Sequence, residues 1–255
     1  GTPPRDELGR FWDVFIAPND IRFEVRDDIV AGREVVRDVL IHTRLSTGLE
    51  LTVPAHLLYE LVGEGGGLRI GRLAAHWELP RMSVQALRAG GRGLSTMTRL
   101  SMRMLRILGL SGTLGYSRGM FSGVGRRGRR VLDAFAAAVT ARDEGSLTSL
   151  FAGGRAGIEH PAGRRFGEGD GPPAVVSPAS WLRRLPVGTR MAVDAVTPAG
   201  WSVSFRFTMR GRGLDERGIG LLGFDRRSGC VGAARFFVAA EPGGVASVDP
   251  RLAPR

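Results

Sequence analysis

The 255-residue sequence contains no lysine, and all 36 of its Lys/Arg cations are arginines. Without lysine this chain cannot supply a P-loop lysine to a phosphate, and it cannot form a Schiff base with a carbonyl substrate or pyridoxal phosphate. Cysteine occurs once, as Cys230. A disulfide framework and a thiolate metal site are therefore excluded, and the strand pattern around Cys230 predicts a buried thiol.

The sequence also lacks an apolar run of the roughly 18 residues that a membrane-spanning helix needs, and it has no recognisable signal peptide. Apolar residues make up 43% of the chain, and its length suffices for two domains with cores of their own. We expect a soluble, cytoplasmic protein without a membrane span.

The net charge of +11 suggests a nucleic-acid partner at first sight. The cations are all arginine, however, and the chain has one Asn, one Gln and 38 Gly. This bias is typical of a GC-rich, actinobacterial-type coding background, so the charge alone does not indicate phosphate contacts. Nucleic acid is not an expected partner.

Residues 131–163 carry the most informative pattern of the chain. Val131, Phe135 and Val139 recur at i, i+4 and i+8, which predicts an amphipathic helix. Asp143 is placed to cap a second short helix that buries Leu147 and neighbouring apolar residues. Two glycines then end this helix, and an edge strand follows that ends in Glu159-His160-Pro161.

This order, with four strand-like runs after it, resembles the ketosteroid isomerase-like and SnoaL-like members of the nuclear transport factor 2 (NTF2)-like superfamily. The resemblance covers about residues 130–240 and implies an α+β cone, a curved antiparallel sheet packed on helices. Strand-like runs at 21–25, 34–44, 49–61 and 68–79 indicate a similar first half, so two cone-shaped domains are expected. The predicted division is 1–110 for the first domain with its C-terminal helix, 111–130 for a Gly/Arg-rich linker, 131–240 for the second domain and 241–255 for a tail.

In ketosteroid isomerases a carboxylate base moves the proton, while a tyrosine and a protonated acid donate to the oxyanion. The resemblance puts these positions at His160, Phe135 and Gly220, and none matches in residue type. Each missing oxyanion donor costs on the order of 10² to 10³ in rate, so steroid isomerisation of the usual kind is not expected. His160 stays a candidate base because an imidazole titrates near neutral pH. The alternative is a histidine that only forms a hydrogen bond at the mouth of the cone.

Alternation in the strand after Gly200 places large apolar side chains on one face and Ser202, Ser204 and Arg206 on the other. The apolar face predicts either a ligand cavity or packed core, with Trp201 and Met209 at its ends as the better ligand candidates. The predicted ligand contacts are Phe135, Trp201, Phe205, Met209 and Gly220.

A second candidate cluster lies in the first half and consists of Asp38, His56, His76 and Glu78. Neighbouring strands can bring these side chains together for acid–base work, or they can form a polar sheet face or subunit contact; their spacing does not favour a metal site. Epoxide hydrolases and polyether cyclases of the superfamily use an aspartate, a second carboxylate and an arginine. Arg37 adjoins Asp38 and therefore faces the other way in a strand.

A helix is predicted from about Ser83 to Leu108, interrupted near residues 89–93, with Arg99, Arg103 and Arg106 along one side. Such a helix either packs across its own domain with a solvated arginine face or binds a membrane surface or acidic partner. The four arginines of residues 126–130 are interpreted as a solvated linker or, alternatively, as phosphate contacts.

The leading hypothesis is a protein that binds a small apolar metabolite, steroid- or polyketide-like, in the second cone. If it is an enzyme, it is a cofactor-free isomerase, cyclase or hydrolase that uses His160 as base. The alternative is a catalytically silent binding or assembly protein, and a homodimer is compatible with either.

Overall fold

The structure is a computed structural model that describes Gly9 and residues 12–63, 67–153, 156–163 and 175–239, with side chains omitted at 79–81 and 115–121. The predicted tail, residues 241–255, lies outside the described residues. Within them the chain is α+β, as the sequence predicts, with one antiparallel sheet, one mainly antiparallel sheet and five α-helices.

The first sheet follows a short π-helical turn, Trp12–Ile16, and is a four-stranded meander in the order β1-β2-β3-β4. Its strands are β1 (Asp20–Ala31), β2 (Glu34–Arg44), β3 (Glu50–Val62) and β4 (Arg69–Trp77). Gly32 adopts a φ of 62° in the tight turn between β1 and β2, a conformation that glycine adopts without strain. All four strand-like runs predicted from the first half are present.

Two helices follow the first sheet, α1 (Leu79–Arg88) and α2 (Gly91–Phe121). Gly90, with a φ of 62°, separates them inside the predicted interruption, and Gly109, with a φ of 69°, kinks α2. Residues 111–130, predicted as a Gly/Arg-rich linker, are mostly helical: α2 runs on to Phe121, and α3 (Gly125–Ala141) contains all four arginines of the basic run. The low helix propensity of the glycines in this segment does not prevent either helix.

The second half begins with α3 and α4 (Glu144–Ser149), and Asp143 caps α4 through a 2.9 Å hydrogen bond from the Ser146 amide. The remaining elements are β5 (Gly157–Glu159), β6 (Val175–Val176), α5 (Pro178–Arg184), β7 (Arg190–Ala199), β8 (Ser202–Gly211), β9 (Leu214–Phe224) and β10 (Val231–Val238). They form the second sheet in the order β6-β5-β10-β9-β8-β7, in which β5 pairs parallel to β10 and all other pairs are antiparallel. The predicted helix–helix–strand order and the four later strands are therefore present.

The second sheet is buried on both faces. One face packs on α3 and α5, where Phe135, Phe205 and Phe236 are fully buried. The other face packs against the first sheet, and Val36 and Phe237 are fully buried in that joint. The duplication of the cone stays a prediction, since among the described residues the first sheet is an all-antiparallel meander that only a short π-helical turn precedes, with its α-helices following it.

Helix α1 also closes part of the edge of β3. The Gln85 side chain accepts a hydrogen bond from the Thr52 amide at 3.2 Å and donates one to the Thr52 carbonyl at 2.9 Å. The β3–β4 ladder begins at Ala55, so Pro54 and Thr52 lie beyond it. Gln85 thus satisfies backbone groups that a further strand residue would otherwise pair.

Cys230 lies just before β10 and is partly exposed. The prediction of a buried cysteine in a strand is therefore wrong, because Cys230 lies in the turn between Phe224, the end of β9, and Val231, the start of β10. In the described part of the chain, no helix combines the length and apolarity that crossing a membrane requires.

Candidate functional site

A row of polar side chains crosses the first sheet. Asp38 on β2 is opposite His56 on β3, and His56 is opposite His76 on β4. Residues opposite each other in an antiparallel ladder present side chains on the same face, so the three form one line, which we call the polar row. Asp38 and His56 are each 1% exposed, so two ionisable side chains are buried in the joint between the sheets.

The second sheet supplies partners for the polar row from the polar face of β8. His56 Nδ1 lies 2.7 Å from Ser204 Oγ, and His76 Nδ1 lies 3.1 Å from Ser202 Oγ. Burial lowers the pKa of His56 to about 3 and that of His76 to about 4, with further lowering from nearby cations. Both imidazoles are therefore neutral at pH 7.

Asp38 is the least satisfied member of the row. Its Oδ1 lies 3.8 Å from His56 Nε2 and its Oδ2 lies 3.4 Å from Arg206 Nε, but Oδ2 has no hydrogen-bond partner among the described residues. Burial raises the pKa of the Asp38 carboxyl, and the Arg206 charge offsets part of that rise. A buried carboxylate oxygen without a partner costs free energy, so a group in this state requires an explanation.

Asp38 and Arg206 line a cleft of about 200 Å³ at the joint between the sheets, which we call the inter-sheet cleft. Its other charged lining residues are Asp27, Asp194 and Arg217. Arg206 Nε lies between two carboxylates, 3.4 Å from Asp38 Oδ2 and 3.2 Å from Asp194 Oδ1, although neither contact has hydrogen-bond geometry. The cleft therefore contains an ordered Asp38–Arg206–Asp194 sequence of alternating charge.

The order Asp38, His56, Ser204 has the residue types of a nucleophilic triad, but its geometry does not serve that chemistry. With the imidazole proton on Nε2, facing Asp38, Nδ1 accepts a hydrogen bond from the Ser204 hydroxyl. Ser204, unlike Asp38, does not line the cleft, so a molecule in the cleft does not contact its oxygen. His56 and Ser204 instead form a hydrogen-bonded pair behind Asp38.

Glu78, the fourth member of the second candidate cluster, lies apart from the row and pairs with Arg129 at 2.9 Å. Arg37 faces away from Asp38, as the alternation predicts, and forms an ion pair with Asp28 at 2.7 Å. Among the described residues, no three His, Cys, Asp or Glu side chains are arranged to hold a metal ion. The structure thus unites Asp38, His56 and His76 and leaves Glu78 out.

His160 follows β5 and faces the helix side of the second sheet. Its Nε2 lies 2.8 Å from Glu216 Oε2, and its ring makes edge contacts with Trp181 and Phe236 at centroid distances of 5.8 and 5.6 Å. Glu159 faces the opposite side, as predicted, where it pairs with Arg235 at 2.6 Å. The role of His160 as a base stays a prediction.

The residues predicted as ligand contacts lie in the packed interior of the second half. Phe135, Phe205 and Met209 are fully buried, and Trp201 is partly buried at the edge of the same cluster. Phe236 stands among them, with its ring 5.9 Å from that of Phe135 and 6.1 Å from that of Phe205. A Cβ on Gly220 would lie 2.2 Å from the Phe205 ring, which explains why no acid side chain occupies this position.

Sequence reasoning missed Arg206 and Asp194 as members of a site. The polar face of β8 was visible in the alternation of Ser202, Ser204 and Arg206, yet nothing in the sequence joins that face to the histidines of β3 and β4. The contact depends on how the two sheets pack, over a separation of 148 residues between His56 and Ser204.

The fold and site together define an α+β chain with two face-packed, mainly antiparallel sheets and a charged cleft between them. Two solved structures are similar to about half of it. One, provisionally described as a ketosteroid isomerase from Kribbella flavida, is 17% identical, covers 52% of this chain and 91% of its own, and gives a TM-score of 0.36. The other is an NTF2-like protein of unknown function from Mesorhizobium loti, 16% identical over 47% of this chain and 100% of its own, with a TM-score of 0.37. No protein-family model and no curated protein matches the sequence.

Proposed function

We propose that the chain is a cofactor-free enzyme that binds a small oxygen-containing molecule in the inter-sheet cleft and uses Asp38 for proton transfer. The observation that carries this proposal is Asp38, which lines a cleft together with Arg206 and whose buried Oδ2 has no hydrogen-bond partner among the described residues. A group left unsatisfied at a cost in free energy is typical of a site that a substrate completes.

The roles follow from the chemistry of the two groups. Asp38 Oδ2 accepts a proton from a bound water or from an acidic carbon–hydrogen bond, and its raised pKa makes it a stronger base than an ordinary carboxylate. The Arg206 Nε–H, which lacks a hydrogen-bond partner in the described part of the chain, donates to the substrate oxygen on which negative charge develops. Asp194 holds Arg206 from the other side, and the proton on Asp38 returns to the product. Hydrolysis and isomerisation both fit this scheme.

The size of the cleft limits the substrate. Its 200 Å³ correspond to the space of roughly seven water molecules and lie below the range of about 300–1,000 Å³ for drug-sized ligands. The cleft therefore suits a molecule smaller than a steroid. A steroid- or polyketide-like ligand belongs only to the predicted site in the second cone.

Replacement of Asp38 by Asn tests the proposal in two ways. We expect a panel of small esters, lactones and epoxides, followed by proton NMR, to contain a substrate whose turnover falls about 10²- to 10⁴-fold in Asp38→Asn. Asp215→Asn, which alters an exposed carboxylate in the other half, is the control and is expected to keep wild-type turnover. Equal turnover by wild type and Asp38→Asn would contradict the proposal.

A second measurement needs no substrate. If Asp38 serves catalysis, Asp38→Asn removes a poorly compensated buried charge and leaves the free energy of unfolding unchanged or higher. If Asp38 is a structural ion-pair partner, the same change costs about 3–5 kcal/mol. Urea denaturation distinguishes these outcomes, and a loss of that size counts against a catalytic role.

A catalytically silent binding or assembly protein is the second candidate. It is favoured by the interior of the second half, where Phe135, Phe205 and Met209 are fully buried and pack with Phe236, and where His160 is already engaged by Glu216. A thermal-shift screen with steroids and aromatic polyketides, in wild type and His160→Ala, tests it. A ligand that raises the melting temperature of wild type but not of His160→Ala would show that the second cone binds a ligand next to His160.

A further inference from the structure

The net charge of the chain is concentrated in one segment. Residues 79–132, which comprise α1, α2 and the first turns of α3, contain 11 arginines and no aspartate or glutamate. The other 25 arginines are balanced by 25 acidic residues, so this segment accounts for the whole net charge of +11. A single basic element on an otherwise neutral chain creates a local positive field.

Helix α2 presents an apolar stripe to solvent beside these charges. Leu94, Met102 and Leu105 are 63%, 65% and 43% exposed and lie on one side of the helix at spacings of eight and three residues. Exposed large apolar side chains continue on both sides of this stretch: Val84 and Leu87 on α1, and Leu110 and Leu114 beyond the kink of α2. Such a stripe is more than the scattered exposed residues of an ordinary surface.

The arginines run along one side of this stripe. Arg92, Arg99 and Arg106 are exposed and recur every seven residues, roughly 90° to 130° around the helix from the centre of the apolar stripe. None of these three arginines forms an ion pair with another described residue, whereas Arg37 and Arg235 of the two sheets do. Their charges are therefore available to an external anion.

The helix is held on the body of the protein by its opposite face. Met104 and Thr96 are buried, and Thr96 Oγ1 lies 2.5 Å from Thr47 Oγ1 in the β2–β3 turn. Gln85 ties α1 to β3 through Thr52. The exposed stripe therefore belongs to a docked helix with a defined outer face.

We propose that α1 and α2 form a docking surface for an anionic lipid membrane. An apolar stripe bordered by arginines matches a helix that lies in the plane of the lipid headgroups, with its aliphatic side chains among the acyl chains and its cations at the phosphates. Trp12, 57% exposed on the turn that contacts α2, adds a side chain suited to the interface. Nucleic acid fits less well, since the described outer face of α2 offers aliphatic rather than aromatic side chains for contact.

Vesicle flotation with the full chain tests this surface. We expect binding to phosphatidylcholine vesicles that contain about 30% phosphatidylglycerol, and no binding to pure phosphatidylcholine vesicles. Arg99→Gln/Arg106→Gln removes two outer charges and is expected to weaken partitioning by roughly tenfold or more. Leu94→Ser/Met102→Ser keeps every charge and is also expected to weaken it about tenfold, because it removes the inserting side chains. Arg210→Gln/Arg226→Gln, two exposed arginines of the second half, is the matched control and should bind as wild type does.

All altered side chains are exposed, and thermal denaturation verifies that each variant is folded. Absence of binding to the anionic vesicles overturns the proposal. Either of two further outcomes also overturns it. One is that Leu94→Ser/Met102→Ser binds as tightly as wild type; the other is that Arg210→Gln/Arg226→Gln weakens binding as much as Arg99→Gln/Arg106→Gln. Duplex DNA is the competing polyanion: tighter retention of DNA than of vesicles, unaffected by the loss of Leu94 and Met102, would assign the surface to nucleic acid.

Discussion

At the scale of single residues, Gly220 leaves space for the ring of a neighbouring phenylalanine, Phe205. It is opposite Phe205 in the β8–β9 ladder, and the Phe205 ring occupies the space where a Cβ would be. Phe205 is in turn packed with Phe236 at the centre of the second half. The glycine therefore belongs to the packing of the core.

Gly220→Ala is expected to lower the free energy of unfolding by about 1–3 kcal/mol, because the added methyl group would lie 2.2 Å from the Phe205 ring. Gly91→Ala is the control, since a methyl group at this position, at the start of α2, would have no neighbour within 4 Å among the described residues. That change should be neutral or slightly stabilising in a helix. Urea denaturation measures the free energy of unfolding of both variants. Equal values would show that the Phe205 ring moves aside without cost to accommodate the methyl group.

The residue scale also marks what the sequence could and could not predict of the site. Alternation groups Asp38 with His42 along β2 and His56 with Glu60 along β3, and the observed strand register then aligns Asp38, His56 and His76. Arg206 could not be found in this way because its approach to Asp38 depends on the stacking of two sheets. Sequence periodicity specifies the face of a strand, but it does not specify what covers that face.

At the scale of elements, Arg235 on β10 joins the two sheets. Its guanidinium binds both carboxylate oxygens of Glu34 on β2, at 3.0 and 2.6 Å, and lies 2.6 Å from a carboxylate oxygen of Glu159 on β5. Burial lowers the pKa of Arg235, but the two carboxylates more than offset this and raise it overall. The cation stays charged inside the joint and pairs with two acids from different halves.

Arg235→Met is expected to lower the free energy of unfolding by about 3–5 kcal/mol, because it leaves Glu34 and Glu159 facing each other without a cation. Arg210→Met removes an exposed pair with Asp215, each side chain 74% exposed, and should change stability by less than about 1 kcal/mol. Thermal unfolding followed by circular dichroism measures both. A cost for Arg235→Met as small as that for Arg210→Met would show that the sheets pack without need of this contact.

Helices were less predictable than strands at this scale. The four strand-like runs of the first half all form strands, although β1 buries only Ile29 and β4 buries no residue fully. Glycine recurs throughout residues 111–130, at Gly112, Gly115, Gly119, Gly123, Gly125 and Gly128, and this pattern is typical of a break. The observed helices α2 and α3 nevertheless occupy most of the segment, and Gly128 packs where a Cβ would lie 2.6 Å from Val203. A glycine selected for close approach and one that ends a helix look alike in a single sequence.

At the scale of the whole molecule, the two neutral histidines of the polar row link stability to pH. Their pKa values are about 3 for His56 and about 4 for His76 in the folded chain, against about 6.5 when unfolded. Below pH 6.5 the unfolded chain therefore binds more protons, and the folded state loses stability as the pH falls. Asp38 acts in the opposite sense, because its raised pKa favours proton uptake by the folded state.

Urea denaturation at about pH 7, 6 and 5 is expected to show a falling free energy of unfolding, by up to about 1.4 kcal/mol per pH unit for each histidine. The double variant His56→Asn/His76→Asn should flatten this dependence, whatever its stability at neutral pH. An unchanged slope in the double variant would mean that other groups account for the acid sensitivity.

The contact between Gln85 and Thr52 has a consequence for the chain in concentrated solution. A free strand edge is a template on which a second molecule can add a strand, and such addition starts aggregation. Beyond Ala55 the edge of β3 presents Pro54, which has no amide proton, and then Thr52, whose amide and carbonyl are both engaged by the only glutamine of the sequence. This end of the first sheet is therefore closed to cross-β growth by one proline and one side-chain amide.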